Sequence, residues 1–271
     1  TSSITVKMFD SNSVIDSIVD KLASAKTVMV TGLYQFDNFA NDYVLRPNGI
    51  ASVLKAEKED NAPEKRVELH LHTSLSAMDA ISSPTSLINR AAKWGHKAIA
   101  VTDHGVVQAL PEANAAAKKA GIKLICGMEG YLVDDEKYPD FMNMKVRDFK
   151  RYHIIFLIRN LEGRKVLYKH ISASNIKYFK NRPLIPKSAL REHRNGIIIG
   201  SACEQGEVYQ AILNGADDDE LDRIASFYDY LEIQPNGNNE FMLRTSNEEY
   251  ILTKKGEERK NVYWKLRTEE D

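Results

Sequence analysis

Two rhythms of apolar and polar positions run along this chain. In residues 1–60, "SITVKMF" alternates, and "TVMVTGLYQF" and "DYVLRPNGIASV" are apolar and β-prone around Gly32 and an Asn-Gly turn. Between them, "SVIDSIVDKLASA" places Val14, Ile15, Ile18, Val19 and Leu22 at helical spacing. The prediction is strand, helix, strand, strand: a small β unit with one helix, too short to close a barrel by itself. The charged run "KAEKEDNAPEKR", residues 55–66, has almost nothing to bury and reads as a linker, so a first domain is placed at 1–60 and a second at 61–271.

Beyond the linker the rhythm becomes strand, helix, strand, helix. "VELHLH" leads to "SPTSLINRAAKWG", whose Ser83 cap, Pro84 in the first turn and Gly95 stop punctuate a helix at both ends. "KAIAVTDHG", helical "LPEANAAAKKAG" and "IKLICGMEGYLV" follow, then "YHIIFLIRN", helical "EGRKVLYKHISAS" and "PKSALREHRNG", and "GIIIGSAC". Two more helical segments, "EVYQAILNG" and "DDDELDRIASFYD", lead to "YLEIQP". The strands are nearly continuous apolar runs, which predicts a parallel sheet covered on its faces, either a barrel or a doubly wound α/β sheet. The last residues, 244–271, are charge-dense and can be read as an amphipathic helix carried by Tyr250, Ile251, Val262 and Trp264, as a solvated appendage, or as a disordered tail.

Composition changes this picture little. With 271 residues, 43% of them hydrophobic and 28% charged, the chain can bury a sizeable core. A formal charge of −1 excludes a global pull toward nucleic acid or a membrane, so any such contact is local. Two cysteines, Cys126 and Cys203, exclude a disulfide framework and point to a reducing compartment. The start, "TSSITVKMFD", lacks a basic segment followed by an apolar one, and no run reaches membrane-spanning length. A cytoplasmic location without a membrane partner is expected.

The chemistry collects where strands meet loops. His70 and His72 follow the first strand, Asp79 lies in the loop beyond, His104 follows the second strand and Glu129 the third; His153 opens the fourth and Cys203 closes the fifth. Two apart on an extended strand, His70 and His72 point to the same side and can ligate one or two ions. Mixed imidazole and carboxylate donors suit a divalent metal such as zinc or manganese, or iron, better than calcium or magnesium. Taken singly, each residue has a plainer reading: His153 as an ordinary strand residue, Cys203 as a small buried hydrophobe, Glu129 as a loop carboxylate. Asp103 reads as a partner orienting a ligand ring, and His96, His170 and His193 as surface residues. The coincidence of seven candidates at strand ends favours the metal.

These segments resemble a known family. "EKRVELHLHT", "KWGHKAIAVTDHG", "GIKLICGMEGYLVDD", "IIIGSACEQGE" and "FYDYLEIQPNGNNEF" together resemble the PHP (polymerase and histidinol phosphatase) domain of PolC-type DNA polymerase III α subunits over most of residues 60–243. The resemblance implies a distorted (β/α) barrel with up to nine metal ligands, onto which His70, His72, Asp79, His104, Glu129, His153 and Cys203 match. It implies that residues 1–60 are the latter part of an OB-fold domain, for which Phe36, Phe39, Tyr43, Lys7 and Arg46 are candidate strand-binding groups and equally candidate core and rim. No nucleic-acid site is assigned.

Three departures shape the expectation. The family's late Asp and His, separated by one residue, do not follow "FYDYLEIQP", so the site and the barrel are expected to be incomplete at the C-terminus. Only "EKYPDFMNMKVRDFKR" stands where the family inserts a proofreading exonuclease, and no polymerase core fits in the remainder. The chain thus resembles a metal-binding structural module of a replicative polymerase, whose implied partners are DNA and other replisome subunits. A metal-dependent phosphoesterase and a metal-free scaffold are the alternatives.

Overall fold

A computed structural model describes residues 4–9, 12–54, 58–76, 79–235, 237–238, 252–254 and 257–259, with backbone alone at 12–14, 252–254 and 257–259. The chain forms two compact units, Thr1–Asn61 and Ala62–Asp271. Among the described residues no helix is long and apolar enough to cross a membrane.

The first unit contains β1 (Thr5–Val6), α1 (Asn12–Leu22), β2 (Val28–Asp37) and β3 (Asp42–Ser52), in the sheet order β1-β3-β2. β2 and β3 pair antiparallel and β1 joins β3 in parallel. Tyr34 and Phe36, two apart on β2, share one face, and Tyr43 lies opposite Phe36. The Tyr34 and Tyr43 rings stack at 5.1 Å, with Phe36 edge-on to Tyr43 at 5.4 Å. Phe36, Phe39 and Tyr43 are exposed, so their alternative reading as core is not what this unit shows. Lys7 and Arg46 both turn toward Asp37, at 3.2 and 3.8 Å.

The second unit is a mixed α/β assembly. Its elements are α2 (Pro84–Lys93), β4 (Ala98–Val101), α3 (Leu110–Ala120), β5 (Lys123–Val133), β6 (Tyr152–Ile158), α4 (Leu161–Ile176), β7 (Leu184–Pro186), α5 (Lys187–Glu192), β8 (Ile197–Gly200), α6 (Glu207–Leu213) and α7 (Asp218–Ala225). The local signals act as expected: Ser83 accepts from the Ser86 amide at the start of α2, and Gly121 ends α3 in the left-handed region at φ 72°. The sheet runs β4-β5-β6-β8, with β7 alongside the far end of β5.

The expected all-parallel sheet is corrected. β4 and β7 run parallel to β5, but β6 is antiparallel to β5 and β8 is antiparallel to β6. The cause lies between β5 and β6. Residues 134–151 hold only a short 3-10 turn, Val146–Asp148, and a parallel return requires a crossover. The C-terminal helix is corrected too: the residues described there form β9 (Leu252–Lys254) and β10 (Glu257–Arg259), an antiparallel pair. Tyr250, Ile251, Val262 and Trp264 lie outside the described residues.

"VELHLH" is not a regular strand. It meets β4 through one bridge, Glu68 to Ile99. Glu68 O accepts from Ala100 N and Leu71 O from Thr102 N, three residues on one side against two on the other, so the segment is bulged. At the opposite edge, Tyr230 bridges Gly200 beside β8. Gly200 is required there, since a Cβ would fall 2.2 Å from the Tyr230 ring.

Packing places a core on each face. Phe156 and Ile154 of β6 point toward α4 and join Met128, Leu132, Leu167 and Ile199 in one cluster, while α2 and α3 cover Ile99 and Val101 with Ile88 and small alanines. The other face of β6, Ile155 and Leu157, packs with Ala100 and Ala202 and is flanked by Leu69 and Tyr230 from the two edge segments. This small apolar plug occupies the interior of the sheet below the polar cluster described next.

Two buried polar groups test the packing. Lys187 Nζ lies 2.8 Å from both Glu207 oxygens, Tyr228 donates to Glu207 at 3.0 Å, and Lys187 and Glu207 are 1% and 4% exposed. Lys187→Met strands the Glu207 carboxylate in the core and should cost about 3–5 kcal/mol, read by urea unfolding, whereas Lys187→Met with Glu207→Gln should recover part of that loss. His170, expected at the surface, is buried against Phe156 and donates to the His193 carbonyl at 2.6 Å. Burial holds its pKa below the ordinary 6.5. The unfolded chain therefore binds a proton there that the fold does not, and His170 should contribute a loss of stability as pH falls below 6.5. Melting temperature against pH should show a shallower acid slope in His170→Gln.

Candidate metal centre

Glu129 lies within β5, not in a loop after it as expected, and its side chain points to the interior face of the sheet, where it is 1% exposed. Register explains its neighbours. Tyr131 sits two residues on, on the same side, and pairs with His153 at the start of β6. Because β6 runs antiparallel to β5, its beginning lies beside the far end of β5, and His153 reaches the same mouth as residues that follow parallel strands.

Four imidazoles converge on Glu129. His72 Nε2 and His104 Nδ1 lie 2.9 Å from Oε2, His70 Nε2 lies 3.3 Å from it, and His153 Nδ1 lies 2.7 Å from Oε1. His104 Nε2 is 3.1 Å from Asp79 Oδ2, and His72 Nδ1 is 3.5 Å from the same oxygen. The His72 and His104 rings stack at 4.3 Å, and Tyr131 stacks beyond His104 at 5.8 Å. Six of the seven expected residues thus form one cluster. Cys203 reaches its edge, with Sγ 3.7 Å from His153 Nδ1, after Ala202 turns the chain at φ 60°.

The electrostatics are those of a buried anion in a nest of bases. Burial alone would raise the Glu129 pKa, but the four imidazoles outweigh it and hold the carboxyl well below the usual range. Burial opposes protonation of His70, and Glu129 with Glu232 overcomes it, pushing that imidazole up to about 10. His104 is raised in the same way by Glu129 and Asp79 against burial, while burial pushes the Cys203 thiol up.

Not every close approach here is a hydrogen bond. His104 Nδ1 and both Glu129 oxygens are buried with no hydrogen-bonding partner, although ring nitrogens stand within 3.3 Å of those oxygens. A buried carboxylate ringed by imidazole nitrogens but left without a hydrogen bond is an arrangement that a cation shared among those donors would satisfy. Three overlapping sets bring ligand atoms within 4.8 Å of one another: His70, His72 and Glu129; His72, Asp79 and His104; His104, Glu129 and His153. The residues fit a divalent metal, in one or more positions. The cluster floors an open cavity of about 580 Å³ whose rim includes Arg66, Gln205 and Gln234.

Sequence reasoning missed three contributors. Glu232 accepts from His70 Nδ1 at 2.9 Å, and its only signal was a carboxylate at the end of the last apolar segment, "YLEIQP". Ser76 Oγ lies 2.8 Å from His72 Nδ1 and accepts from the His104 amide at 3.1 Å, and Tyr131 supplies the stacking face. Asp103 is corrected: it holds no ring, and instead accepts from the Thr73 amide and hydroxyl at 2.6 and 2.8 Å, fixing the loop after His72.

The chain is 28% identical to the PolC-type DNA polymerase III of Clostridium perfringens, a match covering 91% of this chain and 30% of that protein. It is 27% identical to the PolC-type enzyme of Caldanaerobacter subterraneus, covering 90% and 31%. The chain therefore spans about a third of the length of these relatives. The first match extends over 437 positions against a chain of 271 residues, so the relative carries a long stretch inside the matched region that this chain lacks. A solved two-domain protein from Bacteroides vulgatus containing a predicted PHP-like metal-dependent phosphoesterase overlaps 57% of this chain and 42% of its own, at 16% identity and a TM-score of 0.32. A family model described as the PHP domain matches residues 68–236, more than half of the chain and all of the cluster, and the chain belongs to that family.

Proposed function

We propose that this chain is a metal-binding PHP module of a PolC-type replicative polymerase, in which His70, His72, Asp79, His104, Glu129 and His153, with Cys203 at the edge, hold divalent ions of the zinc or manganese type. The observation that carries it is the convergence of four imidazoles on one buried carboxylate whose oxygens, with His104 Nδ1, make no hydrogen bond. Imidazole-rich, oxygen-containing sets favour these borderline ions over calcium. Its setting in DNA replication, with DNA and other replisome subunits as partners, is supported by the similarity to the two PolC-type enzymes.

A second reading, a metal-dependent phosphoesterase, is favoured by one observation: the cluster is open to a cavity rather than sealed. An ion bound there would supply Lewis acidity and a more acidic water. The chain's own residues do the rest. Tyr131 and His72 sandwich the His104 ring, Ser76 holds both the His72 ring and the His104 backbone, and Thr73 with Asp103 fixes the loop that carries them. Arg66, paired with Glu68 at 2.8 Å, lines the same cavity and could meet the charge of a phosphate ester entering there.

Elemental analysis of the purified protein dialysed against zinc or manganese should find bound metal, and Glu129→Gln or His72→Ala should lower affinity by more than the roughly 10–100-fold typical of outer-sphere changes. Protein without metal under these conditions refutes the metal centre and leaves a scaffold. Hydrolysis of bis(p-nitrophenyl) phosphate by the loaded protein, abolished in His72→Ala, would establish the second reading; loaded protein without hydrolysis leaves the structural role.

A further inference from the structure

We infer that Glu232 is the positioning residue of the centre: its carboxylate fixes His70 in the one tautomer that presents Nε2 to the ion. The inference rests on the metal-centre reading above.

The geometry is two-sided. His70 Nδ1 lies 2.9 and 3.0 Å from the two Glu232 oxygens, so a proton on Nδ1 is shared by both. Nε2 of the same ring faces inward, 3.1 Å from His72 Nε2 and 3.3 Å from Glu129 Oε2. With an ion taking the Nε2 lone pair the ring would keep a single proton, and the carboxylate at Nδ1 would hold it there. A carboxylate on Nδ1 therefore leaves the lone pair on Nε2, toward the other donors. Glu232 joins none of the three ligand sets, and its oxygens lie on the Nδ1 side of the His70 ring, while Nε2 faces the other donors. Such carboxylate–imidazole pairs raise the basicity of a ligating ring and hold its plane.

Glu232 is itself held. Its amide donates to Ser201 Oγ at 2.8 Å, and two residues earlier Tyr230 bridges β8 and packs in the plug with Leu69. His70 stands one residue after Leu69. Both edge segments are thus seated on the same apolar cluster, which holds the pair at hydrogen-bonding distance.

The test is a mutant cycle in the full chain, reading affinity for zinc by competition with a chromophoric chelator. Glu232→Ala should weaken binding by about 10–100-fold, and Glu232→Gln, which keeps one acceptor for Nδ1–H, by less. In a His70→Ala background, Glu232→Ala should cost nothing further, because a residue that acts through the ring has nothing left to orient. In ¹⁵N-histidine spectra of the zinc-loaded protein, the His70 Nδ1–H signal should be protected from solvent exchange and lose that protection in Glu232→Ala. Equal affinity of wild type and both variants, or an additive loss in the His70→Ala background, overturns the inference. Should Glu232→Ala fail to fold, Glu232→Gln and its own cycle with His70→Ala decide on the same criteria. A wild-type chain that binds no zinc or manganese refutes the metal centre itself, and a chain that binds but is indifferent to Glu232 refutes only this inference.

Discussion

The second unit is organised around a carboxylate that has been taken out of water. A lone ionised Glu129 in this position would cost several kcal/mol in lost hydration, and the protein answers with four imidazoles from separate segments of the chain. Each must arrive from its own element. The bulged segment beside β4 brings His70 and His72, the turn after β4 brings His104, and the antiparallel β6 brings His153. Below them the interior is apolar and small-chained, so the polar groups cannot spread downward and gather at the mouth. Electrostatic demand at one atom pair and hydrophobic exclusion beneath it together fix where the cluster lies.

That division of labour explains what the residues disclosed in advance. Caps and stops such as Ser83, Pro84 and Gly121 act within a turn of the chain, and the elements they bound lie where local pattern put them. Six candidates from the strand-end inventory meet in space, because residue type alone marks His and Glu in an apolar run as groups needing partners. The direction of β6 was not legible from its apolar run, since a buried strand reads alike in either sense. The informative feature was the absence of a helix between residues 134 and 151. His153 at the beginning of its strand, where the other candidates followed theirs, already encoded the reversal.

The failures share a cause. Glu232 acts on a residue 162 positions away, and no local pattern ties the two. Asp103 was assigned to a ring by adjacency to His104, but on an extended chain adjacent side chains point to opposite sides, and it turned to the Thr73 backbone instead. His170 looked superficial because it sits on a helix, yet its face of α4 lies on Phe156. Membership of the PHP family supplies the frame, and the match over residues 68–236 spans every one of these groups.

The sheet is closed differently at its edges than in its interior. Its two outermost segments, around His70 and Glu232, each bridge the sheet at a single residue pair; a side-chain bond joins them, and Leu69 and Tyr230 both pack on the same plug. A continuous ladder would have to break several main-chain bonds together to part. This seam can unzip locally while β4, β5, β6 and β8 stay intact. The segments that carry His70 and Glu232 are thus held to each other by side chains, and parting them would break fewer main-chain bonds than parting β5 from β6.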